Sequence, residues 1–461
     1  MVGSAHRDEL VPLDFALEAE PAGPPGPVEP PKLLGGLGIV LALLVAWWAA
    51  AFAIGLHSFV RTPFSDMHDW LARLFEAERT HDWLAYLWEP HGRQRIVFAR
   101  ILTLWDAEVD KGRFVSAFLA SGMKIQLVVT LAAASLTAIW LPRSPWRLCI
   151  AGLVGLALLD IPFVDDAAFA NAGVYIEAAG FSILAILAFA LRGETGWRRT
   201  LLPAALVCGV LAACGNAAGL AVWPVLILGA LRTRATPTAL ASLIIAGVAT
   251  IAVFSLGLGA PVGTGTAASS GAARLMKMAS YFVGYAALPW ASEPKLVLRL
   301  GGAALTGLYL WVLARGPGRE DGGVLRRAGL DLIAFTLVTG ALAAIGRIDE
   351  QALPSVPVRY AVFAMAGQAG LIMVFAGRLA RFGAARPRLA GSALALALAL
   401  AMVNQAEGAR RLMKSVRHVR EASAAFDRGD RSPEVVSLVY PPDPARAADI
   451  RRQLKARGLP Y

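Results

Sequence analysis

The sequence predicts an all-α, polytopic membrane protein, and three observations carry that prediction. Of 461 residues, 57% are hydrophobic and only 17% are charged, and the mean hydropathy is +0.57, far from the average of a soluble domain. Apolar runs of spanning or near-spanning length recur along the chain. Between them, arginines collect in alternate connections, the pattern produced by the positive-inside rule.

The elements follow in order. Residues 1–32 contain Asp8, Glu9, Asp14, Glu18, Glu20 and Glu29 and a proline-rich run from Pro21 to Pro31 that cannot hold a helix, so they read as a disordered cytoplasmic tail. They are not a signal peptide, because the first apolar stretch begins only at Leu33, runs to about Leu56 and lacks a small-residue cleavage site. That stretch is long enough to stay in the bilayer as the first span. Further apolar stretches fall near 114–141, 148–163, 177–191, 201–215, 218–231, 238–258, 295–315, 328–345, 359–377 and 388–403, which gives about eleven helices in a transmembrane domain over 33–403.

Orientation follows from the connections. Arg143 and Arg147, then Arg192, Arg198 and Arg199, then Arg232 and Arg234, then Arg315, Arg319, Arg326 and Arg327, then Arg378, Arg381, Arg386 and Arg388 all fall on one side. That side is assigned to the cytoplasm. The other side receives the long first loop at 57–113, the turns near 164–176 and 215–219, the segments 260–295 and 347–359, and a C-terminal element at 404–461. The net charge of +11 is therefore explained by topology, with no nucleic-acid partner implied. Cys149, Cys208 and Cys214 lie inside apolar runs and read as small core residues, with neither metal-ligand spacing nor a disulfide framework.

The first loop stands out chemically. It places Asp66, Asp69, His91, Arg93, Arg95 and Arg100 just beyond the first span, and it carries Trp70, Trp83, Trp88 and Trp105. A loop of more than fifty residues with that apolar content should fold against the membrane surface. Residues 271–290 place Arg274, Lys277 and Ser280 on a helical face with aromatics nearby, as an interfacial or re-entrant helix would, the alternative being a short extra span. The tail beyond Asn404 holds a basic helix-like stretch, a strand-like run at 435–440, a Pro-Pro turn and a second helix-like stretch, too little for a robust core of its own.

Several short motifs carry a resemblance. They are Ser65-Asp66-Met67-His68-Asp69-Trp70 after the first span, His91-Gly92-Arg93-Gln94-Arg95-Ile96, Phe98-Ala99-Arg100-Ile101-Leu102, Gly219-Leu220-Ala221-Val222-Trp223-Pro224, Tyr281-Phe282-Val283-Gly284, and Arg359-Tyr360 opening a late span. In these the chain resembles the GT-C superfamily of integral-membrane glycosyltransferases. The set in question is bacterial and related to dolichyl-phosphate-mannose-type and lipid A aminoarabinose-type transferases. The resemblance spans 33–403 and implies a polyprenyl-phosphate-linked sugar donor, an extracytoplasmic acceptor and the bacterial inner membrane. It also has a departure: the related run is similar to His-Asn-Glu-His-Arg-Ile, and this chain has Arg93 and Gln94 where the acid and second histidine would stand.

Such a transferase holds the lipid tail in the bilayer, the phosphate at the interface and the acceptor hydroxyl in water. A hydroxyl is a weak nucleophile and calls for a carboxylate as general base, while the departing phosphate is a stable anion that calls for Arg or Lys. Asp66 is the first candidate base, with Asp69 as alternative or partner; the competing expectation is that both cap a helix beginning near Trp70. His91, Arg95 and Arg100 are candidates to line the same pocket, though His91 fits a structural hydrogen-bonding role equally well. Arg274 and Lys277, and Arg347, Arg359 and Tyr360, are further candidates for donor contact, against the basic and aromatic anchoring common to any span. Asp160, Asp165, Asp166 and Glu177 flank a short outer turn, where acids near lipid are costly.

First-loop carboxylates could hold a cation, but their spacing forms no recognisable metal pattern. From other classes, a transporter or flippase predicts internal repeats and broken midplane helices with ionisable residues, which the sequence does not display. A non-catalytic protein derived from the transferase fold is the third alternative, encouraged by Arg93 and Gln94.

Overall fold

The computed structural model describes residues 30–60, 63, 65–92, 94–111, 120–141, 144–159, 173–192, 196–258, 271–289, 295–315, 323–346, 356–440 and 443–459. Among the described residues there are helices and no strand, with one isolated β-bridge between His91 and Gln94. Arg347, Arg93, Asp160, Asp165 and Asp166, and the tail at 1–29, lie outside the described residues.

α1 (Pro30–Ser58) leads to three short helices of the first loop, α2 (Met67–Thr80), α3 (Trp83–Trp88) and α4 (Val97–Trp105). The bundle continues with α5 (Ala120–Trp140), α6 (Trp146–Leu158), α7 (Gly173–Leu191), α8 (Leu201–Gly215), α9 (Val222–Arg232) and α10 (Pro237–Ser255). It ends with α11 (Gly271–Ala286), α12 (Lys295–Arg315), α13 (Val324–Gly346), α14 (Ala361–Ala385) and α15 (Pro387–Asp427), followed by α16 (Pro433–Val439) and α17 (Pro444–Ala456). Eight helices among the described residues are long and apolar enough to cross a membrane. Each of the eleven expected positions holds a helix among its described residues. The other three hold α6 and the Ala217–Arg232 segment, which are apolar but shorter, and α12.

The central helices are apolar on all sides, so they bury by close approach rather than by turning one face inward. α13 and α14 cross where Gly329 meets Gly370: a Cβ on Gly329 would stand 2.5 Å from the Gly370 carbonyl oxygen. On the far side of the core, the buried Trp223 ring fills the notches left by Gly209 and Gly247. The arginine-bearing connections gather at one end of this bundle. There Arg232 of α9 pairs with Asp331 of α13, which is almost wholly buried.

The opposite end is covered by the first loop and the C-terminal element together. α15 has 41 residues, roughly 60 Å at 1.5 Å per residue, about twice a hydrocarbon core. A boundary at 404 therefore falls inside one unbroken helix, whose second half projects past the bundle. It returns onto the first loop: Arg420 donates to the carbonyls of His57 (3.2 Å) and Phe59 (2.9 Å), and Arg451 donates to that of Pro63 at 3.0 Å. The run 435–440 is helical through Val439, contrary to the strand-like expectation, with Tyr440 as the C-cap. Val435, Val436, Val439 and Tyr440 recur at helical spacing and pack with Ala422 and Phe426, whereas a strand would alternate its buried residues. α11 begins with exposed residues, Gly271 to Met276, and ends with Tyr281, Gly284, Tyr285 and Ala286 buried. Its second half thus packs into the bundle while its first turns stay outside it.

Candidate functional site

The site is assembled at the loop-covered end, starting from the backbone before α2. Ser65 has φ +50°, in the left-handed region, and its N–H donates to the Val439 carbonyl at 2.6 Å. The contact from the C-terminal element thus holds a conformation that serine rarely adopts. Asp66 follows in a helical conformation. Its carbonyl accepts from the Trp70 N–H at 3.1 Å, but its side chain makes no capping bond. The capping expectation for Asp66 is thereby corrected: the carboxylate turns to His91, with Nε2 to Oδ2 at 3.4 Å.

His91 is presented by a tight turn. Its N–H donates to Gln94 O at 2.8 Å, the Gln94 N–H donates back at 3.2 Å, and Gly92 supplies φ +59°. The turn is tied to the bundle by Gln94, whose Oε1 accepts from Asn216 Nδ2 at 2.6 Å. Asn216 sits between α8 and α9 and caps the following 217–221 turn by accepting from the Ala218 N–H. The Trp70 ring stands edge-on to the imidazole at 6.3 Å.

The third member comes from the far end of the chain. Arg359 lies in the single turn Val358–Tyr360 before α14, with its guanidinium 5.8 Å from the Tyr175 ring. Its Nε is buried and has no hydrogen-bond partner among the described residues. The hydrogen bond from His91 holds the Asp66 carboxyl below its ordinary range, helped by the Arg359 charge and the Ser65 hydroxyl and opposed by partial burial. The carboxylate side chain is 50% exposed, so it is ionised, oriented and open to a reactant. Behind it stands an aromatic wall: Tyr360 meets Tyr175 edge-on at 5.4 Å and Tyr285 at 6.3 Å, and the Tyr285 hydroxyl bonds Thr339 Oγ1 at 2.9 Å. Two residues beyond Tyr175, Glu177 is 2% exposed and accepts from Ser121 Oγ at 3.1 Å.

The remaining candidates divide. Asp69 is neither cap nor free base: Arg446 of α17 pairs with it at 3.1 Å and the Tyr440 hydroxyl bonds it. Arg95 is 1% exposed and is spent on carbonyls, donating to Phe254 at 2.8 Å and to Trp88 and Leu256. It therefore ties the first loop to the end of α10, a structural use of all three guanidinium nitrogens. Arg100, 2% exposed, donates to the Tyr86 carbonyl while the Tyr86 hydroxyl donates to the Arg100 carbonyl at 2.9 Å, so it staples α3 to α4. Arg274 and Lys277 occupy the exposed and half-buried first turns of α11. Sequence reasoning missed Tyr175, Asn216, Tyr440 and Arg446. Of these, only Tyr175 carried a sequence signal, an aromatic at the opening of a span.

Among the described residues no group of three or more His, Cys, Asp or Glu side chains could hold a metal ion. No family model matches the chain, and no curated protein is significantly similar to it. Asp66, His91 and Arg359 stand as a small acid, imidazole and cation group at the loop-covered end of the helical bundle.

Proposed function

We propose that the chain is a membrane glycosyltransferase that moves a sugar from a polyprenyl-phosphate donor to an extracytoplasmic acceptor. The observation that carries this is the Asp66 carboxylate, half exposed, held by His91 at 3.4 Å and within the field of Arg359. In this proposal Asp66 takes the proton of the acceptor hydroxyl as it attacks the anomeric carbon, and the bond to the lipid phosphate breaks. The phosphate leaves as an anion opposite Arg359, whose buried Nε has a donor to spare. The bundle then comprises eleven spans in a bacterial inner membrane, with the arginine-bearing end cytoplasmic and the first loop and C-terminus outside.

A second reading has its own observation. Gln94, at the departure from the related motif, is used structurally by bonding Asn216 at 2.6 Å, as a non-catalytic descendant of the fold would permit. The test is direct. Detergent-purified protein is incubated with short-chain polyprenyl-phosphate hexose and pentose donors and a membrane lipid extract, and free polyprenyl phosphate is followed by chromatography. Release that requires both donor and acceptor supports transfer. No release with any donor sinks it, and lipid movement across vesicles without release indicates a flippase. Alkaline phosphatase fused after Gly458 is expected to be active, and an inactive fusion there overturns the orientation.

A further inference from the structure

At the arginine-bearing end, away from the Asp66 group, a cavity of about 530 Å³ opens between the end of α5, the start of α13 and the last turns of α14. Arg326, Arg378 and Arg381 line it, and its described lining contains no acidic residue. Topology explains arginines at this end, but not the convergence of three on one hollow. Arg326 has an interaction of its own, and other arginines nearby are spent internally. Arg232 pairs with Asp331, Arg192 donates to Phe189 O and Thr233 Oγ1, both at 2.8 Å, and Arg198 donates to Leu191 O at 2.7 Å. Arg378 and Arg381 have no hydrogen-bond or ion-pair partner among the described residues; Arg378 only flanks the Phe375 ring at 5.9 Å.

The rest of the lining states the occupant. Its floor is apolar, with Met373 and Val374, and Trp140 stands at the edge, 43% exposed. Leu379 and Phe382, on α14 beside the arginines, are 38% and 40% exposed, so the hollow is flanked by a lipid-facing surface. A cationic hollow over an apolar floor at the end of membrane helices fits one ligand class. We propose that this cavity binds the headgroup of an anionic phospholipid, with the phosphate held by Arg378 and Arg381 and the glycerol and upper acyl chains against Trp140 and the α14 surface. The bound lipid would clamp α5, α13 and α14 together at this end.

The test uses the full chain in detergent, with phosphatidylglycerol and phosphatidylcholine of identical acyl chains and inorganic phosphate at matched concentration. Binding is followed by native mass spectrometry and by melting temperature. Phosphatidylglycerol is expected to be retained at least tenfold more tightly than phosphatidylcholine. Arg378→Gln with Arg381→Gln should abolish that difference. Arg386→Gln with Arg388→Gln, which removes equal charge at the same end outside the cavity, should preserve it. Equal retention of the two lipids, or equal loss in the two double variants, overturns the proposal in favour of diffuse surface charge. Displacement of the lipid by inorganic phosphate at matched concentration overturns it in favour of a free-anion site. If the Arg378/Arg381 variant does not fold, the lipid comparison on the unaltered chain and on the Arg386/Arg388 variant still decides.

Discussion

Arg446, near the C-terminus, reaches back to Asp69 in the first turn of α2 and pairs with it at 3.1 Å. The contact separates the two candidate bases of the first loop: Asp69 is held by the tail, and Asp66 is left to His91. Both members are partly exposed, 38% for Arg446 and 26% for Asp69, so the pair is worth about 0.2–1 kcal/mol after solvent screening. Arg446→Ala is expected to lower the melting temperature only slightly and to loosen α17, seen as faster proteolysis beyond Asp443. Asp69→Asn should retain most activity. Loss of all transfer in Asp69→Asn with intact folding would reassign the base.

His68 makes acid stability a readout of the same junction. It is fully buried, its Nδ1–H donates to Ser65 O at 3.2 Å, and its ring lies 5.2 Å from that of Tyr440. Burial, with the Arg451 charge, pushes its pKa down to about 3. The unfolded chain binds the proton near pH 6.5 and the folded one does not, so this contribution is complete above pH 6.5 and falls away as pH drops toward 3. The slope is up to about 1.4 kcal/mol per pH unit. His68→Phe should lose some stability at pH 7.5 but show a flatter decline between pH 6.5 and 4.5 in melting experiments. Parallel declines in the two proteins would mean that His68 charges freely in the folded state.

Arg95 is expected to behave as a fold residue. Its three carbonyl partners include Phe254 and Leu256 at the end of α10, and a buried charged hydrogen bond is worth about 1.5–3 kcal/mol. Arg95→Ala should therefore cut the yield of folded protein and accelerate hydrogen exchange at 254–257. Arg95→Lys should recover only part, because an ammonium cannot fork across two carbonyls while stacking on Trp88, as the guanidinium does at 4.6 Å. A stable Arg95→Ala protein with weakened donor binding alone would return this residue to the site.

What was legible in the sequence, and what was not, follows from range. The spans could be read because membrane burial leaves long apolar runs; Asp66 and His91 could be named because carboxylate and imidazole are sparse in such a chain, and Arg359 because it opens a late span. Their grouping could not be read, since it depends on the 91–94 turn, on the Gln94–Asn216 bond and on Arg359 arriving from a distant turn. Arg95 and Arg100 carry the same chemistry as a phosphate ligand, and only their carbonyl partners, invisible in sequence, distinguish the roles. The 435–440 run misled because a six-residue apolar stretch fits either period until its partners Ala422 and Phe426 are known.

The decisive experiment concerns Asp66. Its carboxylate makes no capping bond, so Asp66→Asn removes the base without removing a helix cap, and the amide still fills the space beside His91. Turnover should fall on the order of a hundredfold or more, with expression and melting temperature nearly unchanged. His91→Ala supplies the companion result. Without the hydrogen bond that does most to depress it, the Asp66 pKa rises toward the ordinary carboxylate value, and the acid limb of activity should move up in pH while the limiting rate falls less than in Asp66→Asn. A fully active Asp66→Asn protein would leave the carboxylate as a surface partner of His91 and remove it from catalysis. An acid limb that stays in place in His91→Ala would mean that some other group titrates in the reaction.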